Sequence, residues 1–387
     1  HLVGKIITSN VTGGRIANID LPISEDFANI LVIDANDLKT EGYINVLDNR
    51  VPVFAQDHVS FKGQPILAVF AHDMESVELY AKEIKISYQI SPEKESSQVT
   101  TIGKPFVWSY GRPEEYFNGT NSKIGSSFYV KSYPATILGD QDFFAFTGSD
   151  GKVYLKVPTQ WPINLKENVA RVIGKSKSQV IVNTDSVYAP NDQFVIEPTI
   201  LASIAATAAM KSGEPVILKT PISTWQPKTE FLFETSVGKD GSTPATRVHC
   251  TVDLGAFPIF REEVCYNILA GVVPPYPVKA MEVSIVVQSS NTVPANFFGA
   301  LGYAMALAAA ENHENIVAET LGVSQSKWRL TRLEGEEGFP LCSSVKSFKD
   351  FKRFRKTIES VANSSNFDRK SSVFLQKEMK KLNFNPL

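Results

Sequence analysis

From Met74 to Lys85 the apolar residues Met74, Val77, Tyr80, Ala81 and Ile84 recur at spacings of three and four, while Glu75, Glu78, Lys82 and Glu83 fill the other face. That spacing predicts one amphipathic helix. Ile84 to Ile90 then alternates as a strand, and the earlier runs Ile30–Ile33 and Ile66–Phe70, punctuated by Gly and Pro, predict strands as well. Ser91 to Lys104 is polar and broken by Gly, Pro and Ser, so a domain boundary is expected there. Beyond it, Phe143–Phe146, Val153–Val157 and Val180–Val182 read as strands, and Ile163–Ile173 reads as a helix stopped by Gly174. Residues Ile200–Lys211 are apolar on nearly every side, which marks a buried helix ending at Ser212-Gly213. Phe231–Val237 and Arg247–Asp253 flank Gly238-Lys239-Asp240-Gly241 as a hairpin, and Tyr303–Leu321 is a second long helix ending at Gly322. The order of elements is α+β rather than a regular βαβ alternation.

Four segments are expected from this pattern: a domain over 1–95, a linker over 96–124, a larger domain over 125–342 and a basic helical tail over 343–387. Between Ser343 and Asn383 eleven Lys or Arg stand against four acids, a surplus of +7 that leaves −9 for the rest of the chain. Phe348, Phe351, Arg355, Ile358 and Val361 can share one helical stripe there, so the tail reads as a helix that faces a partner or links domains rather than as a nucleic-acid arm.

Composition narrows the function. The 387 residues are 43% hydrophobic, enough for a sizeable core, and the formal charge of −2 provides no overall field for nucleic acid or an anionic membrane. The longest nearly uncharged apolar run, Leu201–Met210, is about half of what a bilayer span needs, so no membrane partner is expected. Three cysteines, Cys250, Cys265 and Cys342, form no C-x-x-C pair and support neither a disulfide framework nor a thiolate metal cage. A reducing compartment, the cytoplasm, is the expected location.

The usual chemical signatures are missing: there is no G-x-G-x-x-G, P-loop, H-E-x-x-H or G-x-S-x-G. The histidines 1, 58, 72, 249 and 313 are scattered singly, which is the pattern of structural histidines rather than ligands. Asp140, Asp142, Asp150 and Asp253 lie near turns or strand ends, where a carboxylate commonly caps its own backbone.

Longer phrases carry more. Val51-Pro-Val-Phe-Ala-Gln-Asp-His-Val-Ser-Phe-Lys-Gly-Gln-Pro-Ile-Leu-Ala-Val-Phe-Ala71 resembles the small N-terminal domain of the large, molybdopterin-binding subunit in the xanthine dehydrogenase and aldehyde oxidase family. The resemblance continues in order through Pro158-Thr-Gln-Trp-Pro162, Glu197-Pro198, Gly213-Glu-Pro-Val216, Asp253-Leu-Gly-Ala-Phe257 and Glu311 to Gly322, covering roughly residues 3 to 335. It implies an α/β-hammerhead domain followed by an elongated α+β molybdopterin-binding domain. The implied chemistry is hydroxylation of an aldehyde or N-heterocycle at a molybdenum centre. The implied cofactor is molybdenum–molybdopterin, in its simple or dinucleotide form, with the metal held by the pterin and by no protein side chain.

By the same resemblance, the cofactor-facing positions are Gln160, Asn191, Asp192, Gln193, Phe194 and Gly299, and the substrate-facing positions are Phe298 and Ala300. Gln160 matches the position whose amide bonds an oxygen ligand of the metal, a task suited to an uncharged donor. Departures matter equally. The family's G-G-G-F-G-G-K phrase is replaced by Tyr188-Ala-Pro-Asn-Asp-Gln-Phe194, whose Pro190 and β-carbons resist close backbone approach to a ligand. Phe298 stands where the family has an arginine, Ala300 where it has an aromatic, and Leu138-Gly139-Asp140 where it often has Leu-Glu-Pro. Nothing after Phe339 resembles the family's second half. A second-half chain that completes the pocket is therefore the implied partner, with iron–sulfur and flavin subunits. An oxidoreductase subunit, inactive alone, is the expected function. A family-derived scaffold that has lost cofactor binding is the alternative.

Overall fold

The computed structural model describes residues 1–39, 42–90, 99–118, 122–134, 139–184, 194–222, 225–274, 276, 278–295, 302–333, 351–367 and 369–373. Up to residue 89 the chain runs through β1 (Leu2–Thr8), β2 (Gly14–Asp20), β3 (Leu31–Asp34), β4 (Tyr43–Val46), β5 (Asn49–Pro52), β6 (His58–Val59), β7 (Pro65–Ala71), α1 (Met74–Glu83) and β8 (Lys85–Gln89). The helix expected from Met74 is α1. Asp73 caps it, its carboxylate accepting the Ser76 N–H at 2.7 Å, and Val77 and Tyr80 bury against Leu67 and Val69 of β7. With the rest of the molecule on its other face, β7 is buried along nearly its whole length, which is why its sequence is an unbroken apolar run.

The chain continues through β9 (Thr100–Thr101), β10 (Phe106–Tyr110), α2 (Pro113–Asn118), β11 (Ser122–Val130), β12 (Tyr133–Pro134), β13 (Asp140–Thr147), β14 (Val153–Lys156), α3 (Pro162–Val172) and β15 (Val180–Asn183). After these come α4 (Glu197–Ser212), β16 (Val216–Pro221), β17 (Trp225–Gln226), β18 (Lys228–Val237), β19 (Ala245–Asp253), α5 (Arg261–Val272), β20 (Ala280–Ser289), α6 (Tyr303–Thr320), α7 (Gln325–Arg332) and α8 (Phe351–Ser365).

Two sheets organise these elements. The first has seven strands in the order β15-β14-β13-β16-β1-β7-β3. Its centre is a parallel pairing of β1 with β16, Leu2 opposite Val216, so a strand from the N-terminal part and one from the larger part share one ladder. The nearly all-apolar α4 packs on β13 and β16 with α3 beside it, and its alanines 202, 205, 206, 208 and 209 are fully buried. Gly213 ends it in the left-handed conformation, φ 73°, as its position after the apolar run predicts.

The second sheet runs β10-β20-β19-β18-β11, with β9 added beside β20. Residues 96–124, expected as a linker, therefore contain two of its strands and a helix. Phe106, Val107, Trp108, Ser109 and Tyr110 alternate along β10, and Phe106 meets Tyr266 of α5 edge-on at 5.2 Å. Phe117 of α2 buries against Ala245 and Ala280, beneath the Arg247 guanidinium. The Gly and Pro around these short elements hid a period of two over only five residues. The tail forms α8, which rests on α7 and leaves Phe354 and Val361 exposed; Phe348 lies outside the described residues.

Helices α5 and α6 pack closely at Gly271, where a Cβ would stand 2.6 Å from the Tyr303 carbonyl oxygen and 2.7 Å from the Ala306 Cβ. Gly271→Ala is expected to destabilise the protein by about 1–3 kcal/mol, the typical range for overpacking. Equilibrium urea unfolding reads this directly, and an unchanged midpoint would mean that the two helices can part without loss.

His313 of α6 is the structural histidine that its isolation in sequence predicts. It is buried, stacked on Phe233 at 4.9 Å, and bridges the Ser126 and Thr235 hydroxyls at 2.7 Å each. Burial, and then the positive charge of Arg332, pulls its pKa down from 6.5 to about 4. Between those values the unfolded chain binds a proton that the folded chain refuses, so stability is complete above pH 6.5 and falls as the pH drops toward 4. The loss from this residue is about 3 kcal/mol. In His313→Gln the fall in stability from pH 7 to pH 4 becomes shallower by that amount; identical slopes in the two proteins would contradict a neutral buried imidazole.

Candidate functional site

The Pro158–Pro162 phrase forms a tight turn between β14 and α3. Thr159, 2% exposed, organises it. Its hydroxyl accepts the Trp161 N–H at 3.0 Å and donates to the Phe194 carbonyl at 3.4 Å, while the Thr184 hydroxyl bonds the Thr159 carbonyl at 3.2 Å. Gln160 donates its own backbone N–H to the same Phe194 oxygen at 2.9 Å. Two donors on one carbonyl thus fasten the turn that carries Gln160 to the residues leading into α4.

A third segment joins them. The Trp161 ring lies 6.3 Å from that of Phe260, the residue immediately before α5. Phe260 holds φ at 53°, a left-handed conformation that a bulky residue adopts only under constraint from its surroundings. The N-terminal ends of α3, α4 and α5 therefore meet at one corner. None of the three carries a side-chain cap: Trp161, Ile196 and Phe260 occupy the capping positions without bonding the first turn. Uncapped helix starts present N–H groups and the positive end of the helix dipole. Gln160 stands half-buried at this corner, with a charge-free amide.

Of the positions expected to face a cofactor, the structure brings Gln160 and Phe194 together. Asn191, Asp192, Gln193 and Gly299 lie outside the described residues, as do the substrate-facing positions Phe298 and Ala300. Thr159, Trp161 and Phe260 complete the corner without having been singled out as site residues. Thr159 stood inside the quoted phrase, but nothing local distinguishes a buried threonine hydroxyl, and a positive φ at a phenylalanine has no sequence signal.

Two of the turn acids are structural. Asp253, 7% exposed, accepts the Gly255 N–H at 3.0 Å and the Ser290 hydroxyl at 2.7 Å. These bonds hold the turn in which Gly255, φ 75°, passes so close to Val293 that a Cβ would meet its carbonyl oxygen at 2.4 Å. Asp150 likewise accepts the Lys152 N–H at 3.1 Å, as its turn position predicts. Burial pushes the thiol of Cys250 up and that of Cys265 up to about 11, so both remain protonated near neutrality. Among the described residues no group of three His, Cys, Asp or Glu is placed to hold a metal ion. The Gln160 amide and the start of α3, which has no acid in its first turn, suit an anionic, oxygen-rich group, whereas Glu197 at the start of α4 and Glu262 and Glu263 at the start of α5 set negative charge there. The buried Phe194 ring occupies the end of the segment where the family's glycines would admit one by its backbone.

Comparison with known proteins agrees with this architecture. Residues 1–92 match the family described as the aldehyde oxidase and xanthine dehydrogenase a/b hammerhead domain, and residues 93–333 match the molybdopterin cofactor-binding domain. Aldehyde oxidase 3 of Mus musculus is 25% identical over 237 residues, covering 56% of this chain and 18% of that protein. Xanthine dehydrogenase/oxidase of Gallus gallus is 24% identical over 220 residues, covering 54% and 16%. Among solved structures, quinoline 2-oxidoreductase from Pseudomonas putida 86 superposes with a TM-score of 0.78 at 18% identity, over 99% of this chain and 52% of that one. The aldehyde oxidoreductase from Desulfovibrio gigas gives 0.73 at 18% identity, over 94% and 44%. The chain thus spans less than a fifth of those curated relatives and about half of those solved chains. With both of its folded parts matched in order, the chain belongs to the xanthine dehydrogenase and aldehyde oxidase family of molybdenum-hydroxylase-type oxidoreductases.

Proposed function

We propose that this chain forms the first half of the molybdopterin-binding part of a molybdenum hydroxylase that acts on an aldehyde or N-heterocycle in the cytoplasm. A second-half chain supplies the other wall of the pocket and its carboxylate base, and iron–sulfur and flavin subunits carry electrons away. The observation that carries this reading is the fastening of Gln160 to Phe194 at the corner where three uncapped helices begin. Gln160 would direct its amide at the ligand sphere of the metal, and the start of α3 would face the anionic part of the pterin. When bound, the cofactor supplies the two-electron oxidation. This chain contributes orientation: two hydrogen bonds onto the Phe194 carbonyl, one from the Gln160 N–H and one from the Thr159 hydroxyl, fix the backbone that carries the Gln160 amide.

The alternative, a non-catalytic assembly scaffold, is favoured by the glycine-free segment 188–194 together with Phe298 and Ala300. Purification of the chain from its native cells separates part of the question. Recovery with a second-half molybdopterin-binding chain and an iron–sulfur protein is expected for the enzyme. Recovery with no second-half chain would contradict a shared pocket.

A further inference from the structure

A cavity of about 630 Å³ opens where the hammerhead part meets the larger part, and neither Gln160 nor Phe194 lines it. On one side stand the end of β1 and the loop into β7; on the other stand the first turns of α4, the end of β16 and Trp225. The parallel pairing of β1 with β16 holds the two sides in fixed register. Phe61 and Phe257 touch edge-on across the seam at 6.1 Å. The volume lies within the range of small-ligand pockets.

Its chemistry is asymmetric. Ile196, Ile200, Leu201 and Trp225 provide an apolar wall. Against that wall stands Gln64, only 2% exposed. The Gln64 side-chain Oε1 accepts the Ser60 N–H at 2.7 Å, while its Nε2 has no hydrogen-bond partner among the described residues. That N–H₂ is not among the sealed, unpartnered atoms of the described residues, so it opens to the cavity and can donate to an acceptor that enters it. Lys62 and Lys219 also line the space, and neither forms an ion pair among the described residues. Of the acids that line it, Glu78 is neutralised by Lys5 at 2.8 Å and Glu197 has an interaction of its own. Asp140 remains, at the exposed start of β13.

We infer that this seam cavity binds an amphipathic carboxylate: an aromatic or short aliphatic body against the Ile200 and Trp225 wall, and an oxyanion taken by the Gln64 amide and the two lysines. Neither the fold family nor the corner at Gln160 requires such a site, and the inference stands whether or not the chain binds molybdopterin.

The test uses the full chain and 4-phenylbutyrate as probe, followed by isothermal titration calorimetry. Saturable one-to-one binding is expected. It should weaken at least ~tenfold with the neutral 4-phenylbutanamide and in the Lys62→Ala/Lys219→Ala variant, whose exposed side chains leave the fold intact by circular dichroism. Ile200→Trp, which fills the cavity, should abolish it, with a melting curve confirming that this variant is folded. Absence of saturable binding overturns the inference, as does binding that is equal for acid and amide and unchanged in both variants.

Discussion

On the proposed reading, Gln160→Ala is expected to lower the turnover number of the molybdenum-loaded complex by about tenfold to hundredfold, the range found when a group that orients a metal's ligand sphere is removed. The variant isolates the amide. The bond from Gln160 to the Phe194 carbonyl uses the backbone N–H at 2.9 Å, and the Thr159 hydroxyl braces the same oxygen, so the turn survives the substitution. The half-buried position keeps any stability change within about 1 kcal/mol. Steady-state kinetics alongside a melting curve checks both parts. A fall in kcat at unchanged melting temperature places the amide at the chemistry. Unchanged kcat would remove Gln160 from the site and leave the turn as scaffold.

Glu314→Ala lowers folding stability by about 3–5 kcal/mol, as expected when one partner of a buried ion pair is removed. Glu314 of α6 accepts the Trp328 indole N–H at 2.7 Å and faces the Arg332 guanidinium at 3.5 Å, with both charged side chains 7% exposed. Arg332 lies over the rings of Tyr276 and Trp328 and donates to the Thr243 hydroxyl at 3.1 Å, while its Nη2 is already buried without a partner. Loss of Glu314 leaves a buried cation without its counter-charge and an indole N–H without an acceptor. The neighbouring Glu311 cannot substitute, because Arg329 binds it at 2.6 Å and the Tyr276 hydroxyl donates to it at 3.3 Å. Urea unfolding measures the effect. A loss below about 1 kcal/mol would show that solvent reaches Arg332 once the carboxylate is gone.

The helices were legible where period and cap agree. In α1 the spacing of Met74, Val77 and Tyr80 marked the helix, and the structure adds the cap at Asp73; in α4 the apolar run and Gly213 marked the same end. The α5 helix escaped because its start is marked by Phe260 at positive φ, with no capping residue before Arg261. The strand β10 escaped because five alternating residues between breakers read as linker. The pairing of Leu2 with Val216 could not be read at all, since the register of strands so far apart in sequence is set by the whole core and by no local signal. At the site, the family resemblance alone pointed to Gln160 and Phe194. Their union through one carbonyl, and the approach of Trp161 to Phe260, are tertiary facts that only the fold supplies.

Whether this corner holds a cofactor is answered most directly by the molybdenum content of the complex, purified from its native cells and measured by elemental mass spectrometry against protein concentration. Close to one molybdenum per chain, in a preparation that contains the second-half partner, is the expected result. A clean complex with that partner but without molybdenum, from cells shown to load other molybdoenzymes, would contradict cofactor binding and leave the chain as a scaffold.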